Sequence, residues 1–519
     1  MRRIISICCL GLLAMTATAQ AQQTPWTAAW TVAPEQGGSN AAFQQVTLRQ
    51  AIRPGISGSA ARIRISNLFG DQPLQIADVH FAQSQGTGPS IVAGTDVPVT
   101  FGGNTSITIA AGAEINSDPI NTAIAAQAEY AVSLYFPTAA VIDHPTFHQD
   151  GFENVWIANG DVSGATDITP SNGAQSQFFL TNLDVQNTQA TGAIVALGAS
   201  ITDGDKSAFQ ANNRWTDILS NRLLQSGLSV GVANQGIEGN QQDNDGAGLA
   251  AVHRFAHDVL GQANVKYVIY ADDVINELGS SNPPPTASFL LQGYQQMISA
   301  AHQAGVEFIC ATLTPFGGDA SWTPAQETVR EQVNTAITTT NMCDGVIDFA
   351  SAIADPNNPQ DMLAAFNVNP DGSQGDRLHP NVAGHLAMGN AINLGLFTSA
   401  GIPPNPNGGD TLSLGQSLQP GQSLVSADGR FAFTLQTNGT LTITEGAVTL
   451  FTAGGGGTPA SLTLQQNGNL VELGTAGNIL FQTNTAGQGG QTFIMQDDGN
   501  GVLYTQASKP VYATNTCCH

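Results

Sequence analysis

Positive charge is scarce in this chain. Its 519 residues include 15 Lys and Arg against 39 Asp and Glu, a formal net charge of −24, yet charged residues of both signs make up 10% of the total. The acidity therefore comes from missing bases and not from acidic blocks. With so little to neutralise phosphates, nucleic acid is excluded as an expected partner, and an anionic membrane surface is disfavoured for the same reason. Such a charge favours solubility. Cysteine is sparse too, six in all, and no spacing has the pattern of a zinc site; no cofactor is expected. Cys8 and Cys9 fall in the N-terminal leader. Cys310 ends an expected strand and Cys343 precedes the next, a placement that allows a bridge in an oxidising compartment. Cys517 and Cys518 are adjacent at the end of the chain and are assigned to neither. Long apolar runs are also missing, so no transmembrane segment is expected.

What is present divides the chain. Arg2 and Arg3, the apolar stretch Ile4–Ala14 and Ala19-Gln20-Ala21 are the three parts of a secretory signal, with cleavage expected near Ala21. Residues 1–21 are set aside from the fold, and the protein is expected to be secreted, extracellular or periplasmic. Residues 24–190 read as β-rich: Arg62–Ser66, Thr105–Gly112 and Tyr130–Phe136 alternate in the manner of half-buried strands between Gly, Asn, Asp and Pro, the pattern of an antiparallel β-sandwich or jelly roll.

Residues 191–400 change character. Apolar runs at Ala193–Leu197, Ser229–Asn234, Lys266–Ala271, Glu307–Leu313 and Gly345–Phe349 alternate with amphipathic stretches such as Arg214–Gly227 and Ser288–Gly305. This predicts a parallel sheet covered on both faces, with ligands beyond the carboxyl ends of its strands. Residues 401–410 are a Pro/Gly/Asn linker. Residues 411–519 are again β-like and repeat, with motifs starting at Gln436, Gln465 and Gln496, each built on an Asn-Gly or Asp-Gly hairpin turn.

The chemistry concentrates in the central region. Ser200 leaves a buried strand at a glycine-flanked turn, where its Oγ can be exposed, but a serine hydroxyl needs a base to become a nucleophile. Asp376 and His379, three residues apart before Pro380, supply one. The carboxylate can accept from Nδ1 and fix the tautomer, so that Nε2 faces the serine. A plainer reading has Asp376 capping the helix that begins near Asn381. His253, His257, His302 and His385 read as surface or packing residues.

These residues carry a resemblance. Residues 191–400 resemble the SGNH, or GDSL-type, lipases and esterases in four ordered blocks: GASITDG with Ser200, NQGIEGN with Gly239, VINELG with Asn276, and DRLHPNVAGHLAMGNAI with Asp376 and His379. The resemblance implies a three-layer αβα flavodoxin-like fold, metal-free acyl transfer from an ester substrate through Ser200, and an oxyanion hole of the Ser200 and Gly239 N–H groups and the Asn276 amide. The family's Asp before Ser is Ala199 here, and its Gly two residues before Asn is Val274, a bulk expected to shift the loop carrying Asn276. Asp272 and Asp273, beside it, would disfavour anionic substrates if they faced the site.

The final region resembles the bulb-type mannose-binding lectins, three repeats on a β-prism. Gln496, Asp498, Asn500, Val502 and Tyr504 give the full pattern, which implies a mannose-type site from Gln496, Asp498, Asn500 and Tyr504. The first two repeats are incomplete, the second having Leu473 in place of Tyr. The N-terminal region is similar to the β-domain that precedes some secreted SGNH hydrolases. Its Trp26 and Trp30 read as packing residues in that domain or against the next. The whole reads as a secreted ester hydrolase for small or carbohydrate-linked esters, including acylated glycans, with a glycan-binding module. The alternative is a glycan-binding protein with an inactive hydrolase domain.

Overall fold

The computed structural model describes residues 25–397 and 410–517, apart from positions 39–40, 138–139, 143, 341, 419, 427–429, 446–447, 456, 466, 476 and 507–508. The leader (1–21), positions 401–409 of the expected linker, and Cys518 lie outside the described residues.

Residues 26–186 form two main antiparallel sheets. One is ordered Trp26–Thr31 (β1), Leu180–Gln186, Ala61–Asn67, Ala113–Asn116; the other runs Asn172–Ala174, Val155–Asn159, Val46–Ile52, Tyr130–Phe136, Asp78–Gln83, Val97–Pro98. The alternation read at Arg62–Ser66 has its reason in the core between them: Ile63 and Ile65 are fully buried with Leu48, Leu134 and Leu183, while Arg62 and Arg64 stay partly exposed. A small sheet places Thr146–His148 (β2) between Gln177–Phe178 and Glu35–Gln36.

The central region has five parallel strands, β3 (Gly192–Gly198), β4 (Val230–Gly236), β5 (Val265–Tyr270), β6 (Glu307–Ala311) and β7 (Gly345–Ile347), in the order β4-β3-β5-β6-β7. This is the flavodoxin-like order, whose switch point lies between β3 and β5. Ala193 to Leu197 are all fully buried, which is why the run is apolar at every position. The helices that matter for the site are α1 (Ser200–Asp203), α2 (Trp215–Gln225), α3 (Asp273–Gly279) and α4 (Val382–Ala391). Cys310, in β6, and Cys343, just before β7, form a disulfide with Cα atoms 5.9 Å apart. Cys517 is a free, exposed thiol.

β1 serves both regions. Side chains alternate across a strand, and here Ala28 is buried in the core of the central region while Ala29 is buried in that of the sandwich. The Ala28 N–H donates to the Ala263 carbonyl at 3.0 Å, and Thr31 Oγ1 donates to the Asn234 carbonyl at 2.8 Å. Gly231 on β4 makes this crossing fit, because a Cβ there would lie 1.9 Å from the Ala28 oxygen. Trp30 packs on the sandwich core and faces the cleft towards α2, and Trp26 stacks under the Arg62 guanidinium at 4.9 Å. Trp30 is thus a packing residue, while Trp26 pairs with a partly exposed cation.

Residues 411–513 form three four-stranded antiparallel sheets around one core of Leu412, Leu418, Leu424, Phe433, Leu441, Leu470, Phe493 and Leu503. The repeated turns put Gly439, Gly468 and Gly499 at φ +80°, +81° and +85°, a conformation that favours glycine. Among the described residues, no helix is long and apolar enough to cross a membrane.

Candidate active site

The site forms at the switch point. β3 ends at Gly198 and the chain turns at once into α1, which begins with Ser200. The sharp turn leaves N–H groups without helical partners, and Asp272, just after β5, takes them. Its Oδ2 accepts from the Ile201 N–H at 2.8 Å, and Oδ1 accepts from the Thr202 hydroxyl. Gly198 makes room for this carboxylate, since a Cβ there would sit 2.4 Å from Asp272 Oδ1. Asp272 and Asp273 are therefore buried, not facing a substrate. Asp273 is fully buried, 3.6 Å from Arg254, and burial pushes its carboxyl up to about 7.

Ser200 Oγ lies 2.8 Å from His379 Nε2. Nδ1 of that ring lies 3.0 Å from Asp376 Oδ2, and Asp376 Oδ1 accepts the Leu378 and His379 backbone N–H groups at 3.0 and 2.9 Å. Burial works against charge on Asp376, but the hydrogen bonds from His379 and this backbone hold its carboxyl well below the usual range. Burial likewise disfavours charge on His379. The Asp376 hydrogen bond and the charges of Asp205 and Asp376 outweigh it and raise the imidazole above its ordinary value. Asp376 does not cap the helix that follows. Asn381 does, its side chain accepting from the Ala383 and Gly384 N–H groups.

Val274 does not disturb the Asn276 segment. Asn276 sits on helix α3 and not on a loop, and Val274 points into the core, fully buried. Asn276 Nδ2 donates to the Asn240 carbonyl at 2.9 Å, which fixes its amide beside Gly239. Gly239 has φ +73°. Among the described residues, neither the Ser200 nor the Gly239 backbone N–H has an intramolecular acceptor.

Several groups at the site had no signal in the motifs. Asp205 Oδ2 lies 3.2 Å from His379 Nδ1, a second carboxylate on the same nitrogen. Asp205, Asp376 and His379 bring ligand-type atoms within 4.8 Å of one another, but both carboxylates face the His379 Nδ1, and a cation there would displace the proton that orients the ring. A pocket at Ser200 is lined by Asp150, Phe152, Asp203, Asp205 and Glu238. Asp150 and Phe152 come from the sandwich, and Phe152 holds an uncommon φ of +52°. The hydrogen bond with Asp150, with burial adding to it, pushes Glu238 up to about 7. A wider trough adjoins His379. Phe209, Val368, Val382 and Leu386 line it, all large apolar side chains left 39–46% exposed.

His385 is buried. Its Nδ1 accepts from the Trp215 N–H and its Nε2 donates to the Asp205 carbonyl, and burial lowers its pKa to about 4, so it is a neutral packing residue. His253, His257 and His302 pair with Asp245, with Glu114 and Asp258, and with Asp344.

The GDSL-like lipase/acylhydrolase family model matches residues 194–392. That match supports a GDSL-type acylhydrolase domain in the central region, and ester hydrolysis with it. No curated protein matches the chain. Among solved structures, a G-D-S-L family protein from Desulfitobacterium hafniense DCB-2 is 21% identical, covers 38% of this chain and 96% of its own, and has a TM-score of 0.29. The monomeric monocot mannose-binding lectins from Gastrodia elata are 28% identical, with 21% of this chain and 99% of theirs covered and a TM-score of 0.20. The mannose-specific agglutinin of snowdrop (Galanthus nivalis) is 28% identical over 21% of this chain and 99% of its own, with a TM-score of 0.18.

In the last repeat, Gln496 Nε2 donates to Tyr504 Oη at 3.0 Å. Asp498 Oδ1 accepts the Asn500 N–H at 3.0 Å. Asn500 Oδ1 accepts from the Thr514 hydroxyl and the Thr516 N–H, which ties the turn to the next strand. Asn469 makes the equivalent bonds to Thr483 and Thr485, so this role is shared between repeats.

Proposed function

We propose that the protein is an exported serine ester hydrolase whose substrate carries an apolar arm and whose C-terminal repeats, a β-prism lectin module, bind mannose-type glycan. The observation that carries the enzymatic reading is the 2.8 Å approach of Ser200 Oγ to His379 Nε2 with Asp376 behind Nδ1. In that geometry His379 takes the serine proton as Oγ attacks the ester carbonyl. The Ser200 and Gly239 N–H groups and the Asn276 amide receive the oxyanion, where donors act because charge develops there in the transition state. His379 then protonates the leaving alcohol, and water cleaves the acyl-enzyme by the same base.

The trough of Phe209, Val368, Val382 and Leu386 opens beside His379, and an exposed apolar patch at a catalytic group suits an apolar arm of the ester. The leader residues support export, and the pattern Gln496, Asp498, Asn500, Tyr504 supports sugar binding. Acylated glycans join both features in one substrate.

The test is hydrolysis of p-nitrophenyl esters of increasing chain length. Turnover should rise from acetate to medium chains, and Ser200→Ala should abolish it. Equal turnover in wild type and Ser200→Ala would defeat the catalytic assignment, and a strict preference for acetate would defeat the trough. Retention on immobilised mannan, lost on Tyr504→Ala, tests the glycan site.

A further inference from the structure

α1 has four residues, too few to hold a helical shape alone. Its own closures are the Asp203 N–H to the Ala199 carbonyl and the Gly204 N–H to the Ser200 carbonyl, both 2.8 Å. Asp272 holds its first turn. Its last residue, Asp203, points the other way, out of the central region and into the sandwich. There Asp203 Oδ1 lies 3.1 Å from Nε2 of His148, on β2. Nδ1 of that ring lies 3.0 Å from the Ala33 carbonyl and 3.2 Å from Glu35 Oε1. The His148 and Asp203 side chains are 3% and 4% exposed. α1 cannot relax towards β4, because even a Cβ at Gly236 would lie 2.2 Å from the Asp203 nitrogen.

We propose that His148 is a positioning residue for acyl transfer: from the N-terminal sandwich it fixes Asp203, and through α1 it fixes both the Ser200 hydroxyl and the Ser200 N–H. The sandwich is then part of the catalytic centre. This rests on the ester-hydrolase reading of Ser200. Buried ion pairs add little net stability over an apolar filling of the same volume, so what the pair contributes here is direction. Burial opposes charge on both groups. Facing Asp203 and Glu35, His148 is nevertheless pushed well up from its ordinary value, while burial raises Asp203 and His148 draws it back down, so each group favours the charged form of the other. The chain that follows His148 reinforces the coupling, since Asp150 and Phe152 line the pocket at Ser200.

The test uses the full-length protein, with ester turnover expressed per active site counted by fluorophosphonate titration, and with the rate of that labelling. A misplacement of ~1 Å costs about 10²-fold, so His148→Phe should lower kcat and labelling rate by about that factor, with KM nearly unchanged. His148→Gln, whose Nε2 can stand in for the ring Nε2, should recover most of the loss. Unchanged per-site kcat in His148→Phe, or equal loss in the Phe and Gln variants, overturns the proposal. If His148→Phe does not fold, the comparison passes to His148→Gln against His148→Asn, whose shorter amide cannot reach Asp203, and equal turnover in those two overturns it. A wild-type protein without turnover or labelling overturns the ester-hydrolase reading as well, whereas an active wild type with an unaffected His148→Phe overturns this proposal alone.

Discussion

Two histidines near Ser200 each face a pair of carboxylates, but the pairs are arranged differently. His379 faces Asp376 and Asp205, and His148 faces Glu35 and Asp203, at distances between 3.0 and 3.2 Å. Around His379 both carboxylates crowd one nitrogen, Nδ1, and Nε2 is left for the serine. Around His148 each nitrogen has its own carboxylate, so neither is free to exchange a proton. In the roles proposed above, one imidazole and two acids make a base or a clamp according to how the acids are shared between the ring nitrogens. Burial widens the difference. The carboxylates of the first set are about one-third exposed, while His148 and Asp203 are sealed.

The largest effect expected from breaking this contrast is loss of the base. His379→Ala should lower kcat by about 10⁶-fold, as removal of the triad histidine does elsewhere, measured by ester hydrolysis. Removing its acceptors is the next step. An Asp-to-Asn change in a triad costs about 10⁴-fold where one carboxylate acts alone. Here Asp376→Asn should cost less than that, because Asp205 remains on the same nitrogen, and the double change with Asp205→Asn should reach it. Additive small losses in the two single variants would show that Asp205 is no substitute.

A smaller effect sharpens the contrast by pH. His379 must be neutral to accept a proton, so kcat/KM should rise with pH through its raised pKa. Asp205→Asn removes one of the negative charges that raise it, so the acid limb should move to lower pH. His148→Gln should leave that limb in place, because His148 donates no proton to the reaction. The smallest effect concerns a buried carboxylate far along the chain from both histidines. Glu472, in the second C-terminal repeat, is fully buried where the other repeats have Ile443 and Leu503, and both its oxygens lack hydrogen-bond partners among the described residues. Burial raises its pKa. The protonated form is favoured in the fold, so stability is highest below the usual Glu range and falls as pH rises through the raised value. Glu472→Leu should stabilise these repeats by about 1–3 kcal/mol at neutral pH, with the gain shrinking below about pH 4, as read in thermal melts.

The sequence made legible what is local. Ser200 stands at the end of an apolar run, and Asp376 and His379 meet within one turn, so type and spacing suffice. The five parallel strands were readable because strands buried on both faces are apolar throughout. Partners brought together by the fold were not readable. His148 is fifty-five residues before Asp203 and belongs to another sheet, and nothing in its own segment marks it. Asp205 lies within GASITDGDK yet reaches His379 only through tertiary structure. Asp272 and Asp273 show the complementary error: acidic residues near a motif read as a charged surface, when the missing side chain of Gly198 makes an internal slot for one of them. Glu472 was hidden for the same reason, since strand alternation gives a face but not its occupant.

β1 gives this architecture an order of assembly. The strand at residues 26–31 leaves the ribosome before almost everything it touches: its sheet partner at 180–186 comes some one hundred and fifty residues later, and the β4 surface that seats Ala28 comes later still. Emerging domains generally fold as units, N-terminal first, but here the first strand has one face that stays unfilled until the central sheet exists. The sandwich therefore completes together with the enzyme it adjoins. A chain begun at residue 191 would lack its molecular seal as well as His148.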